Sequence, residues 1–197
     1  MSLSVGVTTR WVYNLAMKKA LILLADGFEQ VEALATHDVF HRSGGIKTTL
    51  ASIKDNLELV TSSGVHVKAD ALLSDLDLDE YDFIVLPGGK LGVENLGSSP
   101  LVKKALEKFH DEGKHIHAIC AAPSILGGLG YLDGKNYVCF PGFQKGNGHW
   151  QDTGVVKDGG TITGRSMGYS VDFACAIASF EVGEGCLKNI YAGIRGE

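Results

Sequence analysis

The sequence has no C-x-x-C pair, and its four cysteines (Cys120, Cys139, Cys175 and Cys186) are irregularly spaced. This excludes a disulfide scaffold, a zinc ribbon and a thioredoxin-type dithiol. It leaves thiols in a reducing cytoplasm, each to be explained by packing or by reactivity. Long runs of Lys or Arg are also missing: 18 basic and 23 acidic residues leave a net charge of −5. Without a basic face to neutralise phosphates, nucleic acid is excluded as a main partner, and so is an anionic membrane surface. Neither G-x-x-x-x-G-K-[ST] nor G-x-G-x-x-G occurs, so no nucleotide cofactor is expected. The longest stretch without Asp, Glu, Lys or Arg, His115 to Leu132, is interrupted by Pro123, Gly127, Gly128 and Gly130. It reads as strand, turn and helix rather than as a membrane span.

What is present suits one globular domain: 197 residues, 45% hydrophobic and 21% charged. Residues 1–17 hold no acid and a single base, Arg10, and Thr8, Thr9 and Arg10 break any signal-length apolar run. They read as an artificial or disordered extension, with the domain running from 18 to 197 and Met17 a natural start. From Lys18 onward, apolar strands alternate with helical patterns. Lys19–Ala25, Ile46–Ile53, Asp82–Leu86, His115–Ile119 and Tyr137–Phe140 read as strands, with short pieces around Gly64 and a hairpin over Val155–Thr163. Helices are expected over Phe28–Ser43, from Ser99-Pro100 to Gly113, from about Ala121, and over Ser170–Glu181. Repeated βα crossovers specify a mostly parallel central sheet with helices on both faces, whose ligands bind beyond the carboxyl ends of the strands.

Three segments place unusual residues at that edge. In Ala118-Ile119-Cys120-Ala121-Ala122-Pro123 an apolar strand ends at a cysteine, followed by small residues and a proline that open a helix. This is the pattern of a nucleophile elbow, and a helix amino terminus behind the sulfur favours thiolate. Glu32 shares a helical stripe with Phe28, Ala35 and Val39 and so faces inward, where desolvation raises a carboxyl pKa and keeps the proton on. Leu86-Pro87-Gly88-Gly89 closes a buried strand with two glycines whose N–H groups, with that of Ala121, form an oxyanion-type site. His115 and His117 share a strand face. At about 3.3 Å per residue His117 lies roughly 10 Å from Cys120, so neither serves it as a base, and no metal role is expected. Cys139, near the end of a late strand, and His149, in a Gly-rich loop, are secondary candidates, and Cys175 reads as core.

ADGFEQVEA (25–33), YDFIVLPGG (81–89), AICAAP (118–123) and TGRSMGYSVDFA (163–174), in this order and spacing, resemble the ThiJ/PfpI superfamily. The closest likeness is to the branch of the parkinsonism-associated deglycase and its bacterial ThiJ-like relatives. The resemblance covers about Lys18 to Val182. It implies a flavodoxin-like α/β sandwich, usually a homodimer without cofactor or metal, with an oxidisable cysteine beside a protonated glutamate. By motif these are Cys120 and Glu32, with Gly88, Gly89 and Ala121 as backbone donors. The implied activities are cofactor-independent glyoxalase and protein deglycase, acting on methylglyoxal, another small aldehyde or early glycation adducts. The alternatives are a redox sensor or chaperone using the same cysteine, and a ThiJ-type protein of thiamine (thiazole) metabolism. Two departures bear on mechanism. The histidine that follows the nucleophile in the protease-like branch is Ala121 here, which argues against a Cys-His peptidase. The histidine that precedes the late-strand proline in the parkinsonism-associated protein is Phe140, before Pro141, which leaves Glu32 as the main proton-transfer group.

Overall fold

The computed structural model describes residues 17–196; apart from Met17, the extension expected over 1–17 lies outside them. Its elements are, in order, β1 (Lys18–Leu24), α1 (Gln30–Ser43), β2 (Ile46–Ser52), β3 (Glu58–Val60), β4 (His66–Lys68), β5 (Ala71–Leu72) and β6 (Phe83–Leu86). There follow α2 (Lys90–Ser98), α3 (Pro100–Asp111), β7 (His115–Ile119), α4 (Pro123–Gly128), β8 (Asn136–Tyr137) and β9 (His149–Trp150). The chain closes with β10 (Val155–Asp158), β11 (Thr161–Gly164), α5 (Ser170–Val182) and α6 (Cys186–Arg195).

Seven strands form one sheet in the order β10-β11-β7-β6-β1-β2-β5, and every neighbour pair is parallel except the β10–β11 hairpin. The α/β class expected from the alternating pattern is therefore present. β1 and β6 are buried throughout or nearly so, as strands covered on both faces must be. One face packs under α1, α5 and α6 around Phe28, Phe40, Phe83 and Phe173. The other packs under α2, α3 and α4 around Leu21, Leu86, Leu106 and Phe109.

Helix boundaries follow local chemistry. Ser99 Oγ accepts the Val102 N–H at 3.4 Å and Pro100 opens α3, as its sequence dictates. Gly44 closes α1 in a left-handed conformation. Two expectations are corrected. The strand drawn over Tyr137–Phe140 ends at Tyr137, because the Val138 N–H goes to Thr163 Oγ1 (2.9 Å) and the Phe140 N–H to the Cys120 carbonyl (2.7 Å) instead of to a neighbouring strand. The helix expected from about Ala121 starts at Pro123, leaving Cys120–Ala122 as a turn.

From β1 the chain crosses to β2 on one side, and later to β6 on the other. That reversal opens a crevice above the carboxyl ends of β1 and β6. The segments after β1, β6 and β7 meet there, and they carry Glu32, Gly88-Gly89 and Cys120.

Candidate active site

Cys120 is the sole non-glycine residue with positive φ (64°) among the described residues. An L-residue in this conformation costs on the order of 1–2 kcal/mol, so the surroundings must hold it there. They do so through both backbone groups: the Cys120 N–H donates to Gly164 O at 2.9 Å, and its carbonyl accepts from Phe140. The turn swings the side chain out of the strand direction and leaves it half-buried at the top of the sheet. This is the elbow the sequence suggested.

Glu32 lies in the first turn of α1 and is 1% exposed. Its Oε2 accepts the Gly88 N–H at 2.7 Å, while Oε1 is buried without a hydrogen-bond partner. Burial pushes its pKa up to about 7, against the opposing pull of the Gly88 N–H and the Cys120 thiol. Gly88 is the hinge of the arrangement. A Cβ at that position would stand 2.6 Å from both Cys120 Cβ and Glu32 Oε2, and 3.1 Å from the sulfur, so acid and thiol converge on the space a side chain would fill. Gly89 (φ 87°) is as tightly placed, since a Cβ there would meet Gly27 O at 2.3 Å.

The three expected backbone donors divide their work. The Gly88 N–H is committed to Glu32, whereas the N–H groups of Gly89 and Ala121 reach the Cys120 sulfur. The expectation of a low-pKa thiol needs correction. Burial, and then the charge of an ionised Glu32, push Cys120 up to about 12, and the two N–H groups only partly offset this. A thiolate here requires the proton to reside on Glu32.

The secondary candidates lie apart from this pair. Cys139 is 0% exposed, with its carbonyl accepting from Trp150 Nε1 at 3.4 Å, and burial pushes its thiol up to about 11. It packs in the core rather than at the crevice. His149 is exposed on β9, where its backbone N–H bonds Lys135 O, and it is not among the groups acting on Cys120 or Glu32. Cys175 is buried in α5.

One cluster was missed in the sequence. Glu181, near the end of α5, takes both strand histidines: His115 Nδ1 lies 2.6 Å and His117 Nε2 3.2 Å from its Oε1. Three such groups have the makings of a metal site. The Ile162 N–H, however, donates to His117 Nδ1 at 3.0 Å, so the ring proton sits on Nε2 and points at Glu181. A metal on Nε2 would need that proton on Nδ1, facing another donor. The cluster is built as a hydrogen-bonded clasp between β7 and α5. The signal for it was split: the histidines alternate visibly on β7, but their partner lies more than 60 residues away.

Comparisons with known proteins agree with this geometry. The sequence pattern of the DJ-1/PfpI family matches residues 18–179. Drosophila melanogaster protein dj-1beta is 34% identical over 181 residues, covering 90% of this chain and 96% of that protein. A Pyrococcus abyssi protein named a deglycase is 31% identical over 156 residues, covering 76% of this chain and 91% of the relative. Among solved structures, oxidized Toxoplasma gondii DJ-1 superposes with a TM-score of 0.85 at 30% identity, covering 90% of this chain and 98% of that one. A chain that matches over most of its length, with an acid and a strained cysteine converging on one glycine, belongs to the DJ-1/PfpI family.

Proposed function

We propose that the protein is a cysteine-dependent, cofactor-independent glyoxalase or deglycase, with Cys120 as nucleophile and Glu32 as the proton-transfer group. One observation carries this reading: the buried Glu32 carboxyl, with one oxygen unpartnered, stands against a sulfur held in a left-handed turn. Oε2 already accepts a hydrogen bond, so the proton of the neutral acid belongs on Oε1, where it makes the buried carboxyl a donor. The name of the Pyrococcus relative points the same way.

The chemistry is redox-neutral overall. The Cys120 sulfur adds to the aldehyde carbon of methylglyoxal, and the carbonyl oxygen takes up the Glu32 proton, giving a hemithioacetal. The C1 hydrogen then leaves as a proton to Glu32 and returns to C2, while the hydroxyl proton passes to the neighbouring oxygen. The result is a thioester, which water hydrolyses to lactate and free thiol. The N–H groups of Gly89 and Ala121 stabilise the charge on sulfur. A cleft of about 690 Å³ bordered by Lys90, Ser124 and Phe143 adjoins the site without including Cys120, and gives room for the carrier of a larger adduct. Lactate formation from methylglyoxal, wild type beside Cys120→Ala with buffer and thiol controls subtracted, tests the reading; equal rates reject it.

A second reading draws on the oxidized state named for the Toxoplasma structure. Here peroxide oxidises the Cys120 sulfur first to sulfenate and then to sulfinate, and Glu32 holds the product by a hydrogen bond. Intact mass after mild peroxide should show two added oxygens at Cys120 before any at Cys175. A homodimer forms part of either reading. Exposed Val31 and Leu34 on α1, with Val60 and Val65 on the neighbouring β3–β4 hairpin, supply apolar surface for it.

A further inference from the structure

The acid and one of the sulfur's two amide donors, Gly89, come from separate segments, residues 26–32 and 88–95, and something must fix the distance between them. Three hydrogen bonds outside the reacting groups do so. The Glu29 N–H donates to Gly88 O (3.0 Å), the Gly92 N–H to Gly27 O (3.2 Å), and Asn95 Nδ2 to Asp26 O (2.8 Å). Of these, only the last comes from a side chain.

Asp26 is itself fastened on its far side. Its carboxylate takes Lys54 Nζ at 2.7 Å and the Val60 N–H at 2.9 Å, and the Gly27 N–H donates to Val60 O at 2.7 Å. The turn that launches α1 is thus anchored to the loop after β2, to β3 and to α2 at once, and Asn95 is its side-chain link to α2. Nothing local favours an asparagine there. It sits inside a nine-residue helix that already contains Gly92 and Gly97, where a further residue of poor helix propensity is locally unfavourable. The tertiary hydrogen bond offsets that cost.

The geometry points to Asn95 as a positioning residue: through the Asp26 carbonyl it sets the spacing between the Glu32 carboxyl and the Gly89 N–H around the Cys120 sulfur. This rests on the reading of Cys120 and Glu32 as a reacting pair. Loss of the Nδ2 donor lets the 26–32 arm drift from α2 and admits water to Glu32. Less of the shared proton then resides on the acid, and less thiolate forms.

The test is the pH profile of Cys120 alkylation by iodoacetamide, followed by peptide mass spectrometry on the full chain. Asn95→Leu should lower the plateau rate about fivefold, the worth of one hydrogen bond, and move the break in the profile below that of wild type. If Asn95→Leu folds poorly, Asn95→Ala removes the same donor without adding a charge and is held to the same expectation. A side chain that merely stabilises α2 lowers the melting temperature and leaves profile and plateau unmoved; that result in a folded variant overturns the inference. Glu32→Gln run alongside separates the two claims. If it alters the profile while the Asn95 variants do not, only the positioning role falls; if it too leaves the profile unchanged, the underlying pair falls as well.

Discussion

The Gly88 N–H donates to Glu32 Oε2 at 2.7 Å, so a proton held by this buried acid belongs on the other oxygen, which has no partner of its own. Acid and thiol share their protons as a pair, and reactivity depends on the fraction of time the remaining proton spends on oxygen. Below about pH 7 both groups are protonated; above it one proton is left between them. Cys120 alkylation should therefore rise as pH climbs through about 7 and then level off. An isolated thiol displaced to about 12 would instead keep accelerating. In Glu32→Gln the break near 7 should vanish, as a stopped-flow or mass-spectrometric rate profile will show.

The same burial has a price in stability. The folded pKa of Glu32 lies above its ordinary value of 4.5, so its contribution is fully present below that value and is lost as pH rises through about 7. The difference is on the order of 3 kcal/mol. Urea unfolding should show Glu32→Gln gaining on the wild type between pH 5 and pH 8, while losing lactate-forming activity.

Cys120→Ala should abolish lactate formation, whereas Cys139→Ala should keep most of it, because the Cys139 thiol is enclosed and has no acid beside it. An assay of both variants with a common preparation of methylglyoxal decides this.

Gly88→Ala should be disabling. Its methyl group would fall 2.6 Å from Cys120 Cβ and from Glu32 Oε2, too close without displacing the pair. A loss of about 1–3 kcal/mol in stability is expected, with activity reduced at least about a hundredfold. Gly128→Ala, where nothing lies within 4 Å, is the control and should change neither.

At the other end of β7, Glu181 is held below its ordinary pKa by His117 and His115 despite burial, and burial holds His117 below 6.5. Both shifts have the same sign. The unfolded chain binds more protons than the folded one, so stability is lost as pH falls below about 6.5 and then through the carboxylate range. Glu181→Ala should cost about 2–3 kcal/mol at pH 7 and flatten the acid limb, as thermal melts across pH 4–7 will report.

Much of this was legible in the residues themselves. Ser99-Pro100 announced α3 because a cap and a pre-set φ act locally. The apolar strand ending in Cys120 before small residues announced the elbow for the same reason. Glu32 stood out as a charge on a buried stripe. Less was legible where local signals are weak or partners are distant. α2 carries Gly92, Gly97 and Asn95 and reads poorly as a helix; its ties to Gly27 and Asp26 stabilise it. α6 went unrecognised altogether. Val138–Phe140 has strand composition, but its amides are taken by Thr163 and Cys120, which no pattern within the segment reveals. The thiol's ionisation was misjudged because a helix terminus is visible in sequence, whereas the charge of an acid 88 positions earlier acts only once folding brings it near.

β7 ends in the Cys120 elbow, and its other end is clasped by Glu181. Acid works on both: it protonates the thiol pair at one end and slackens the fastening at the other. A single strand thereby couples silence to looseness, the sulfur losing its charge as the frame around it begins to yield.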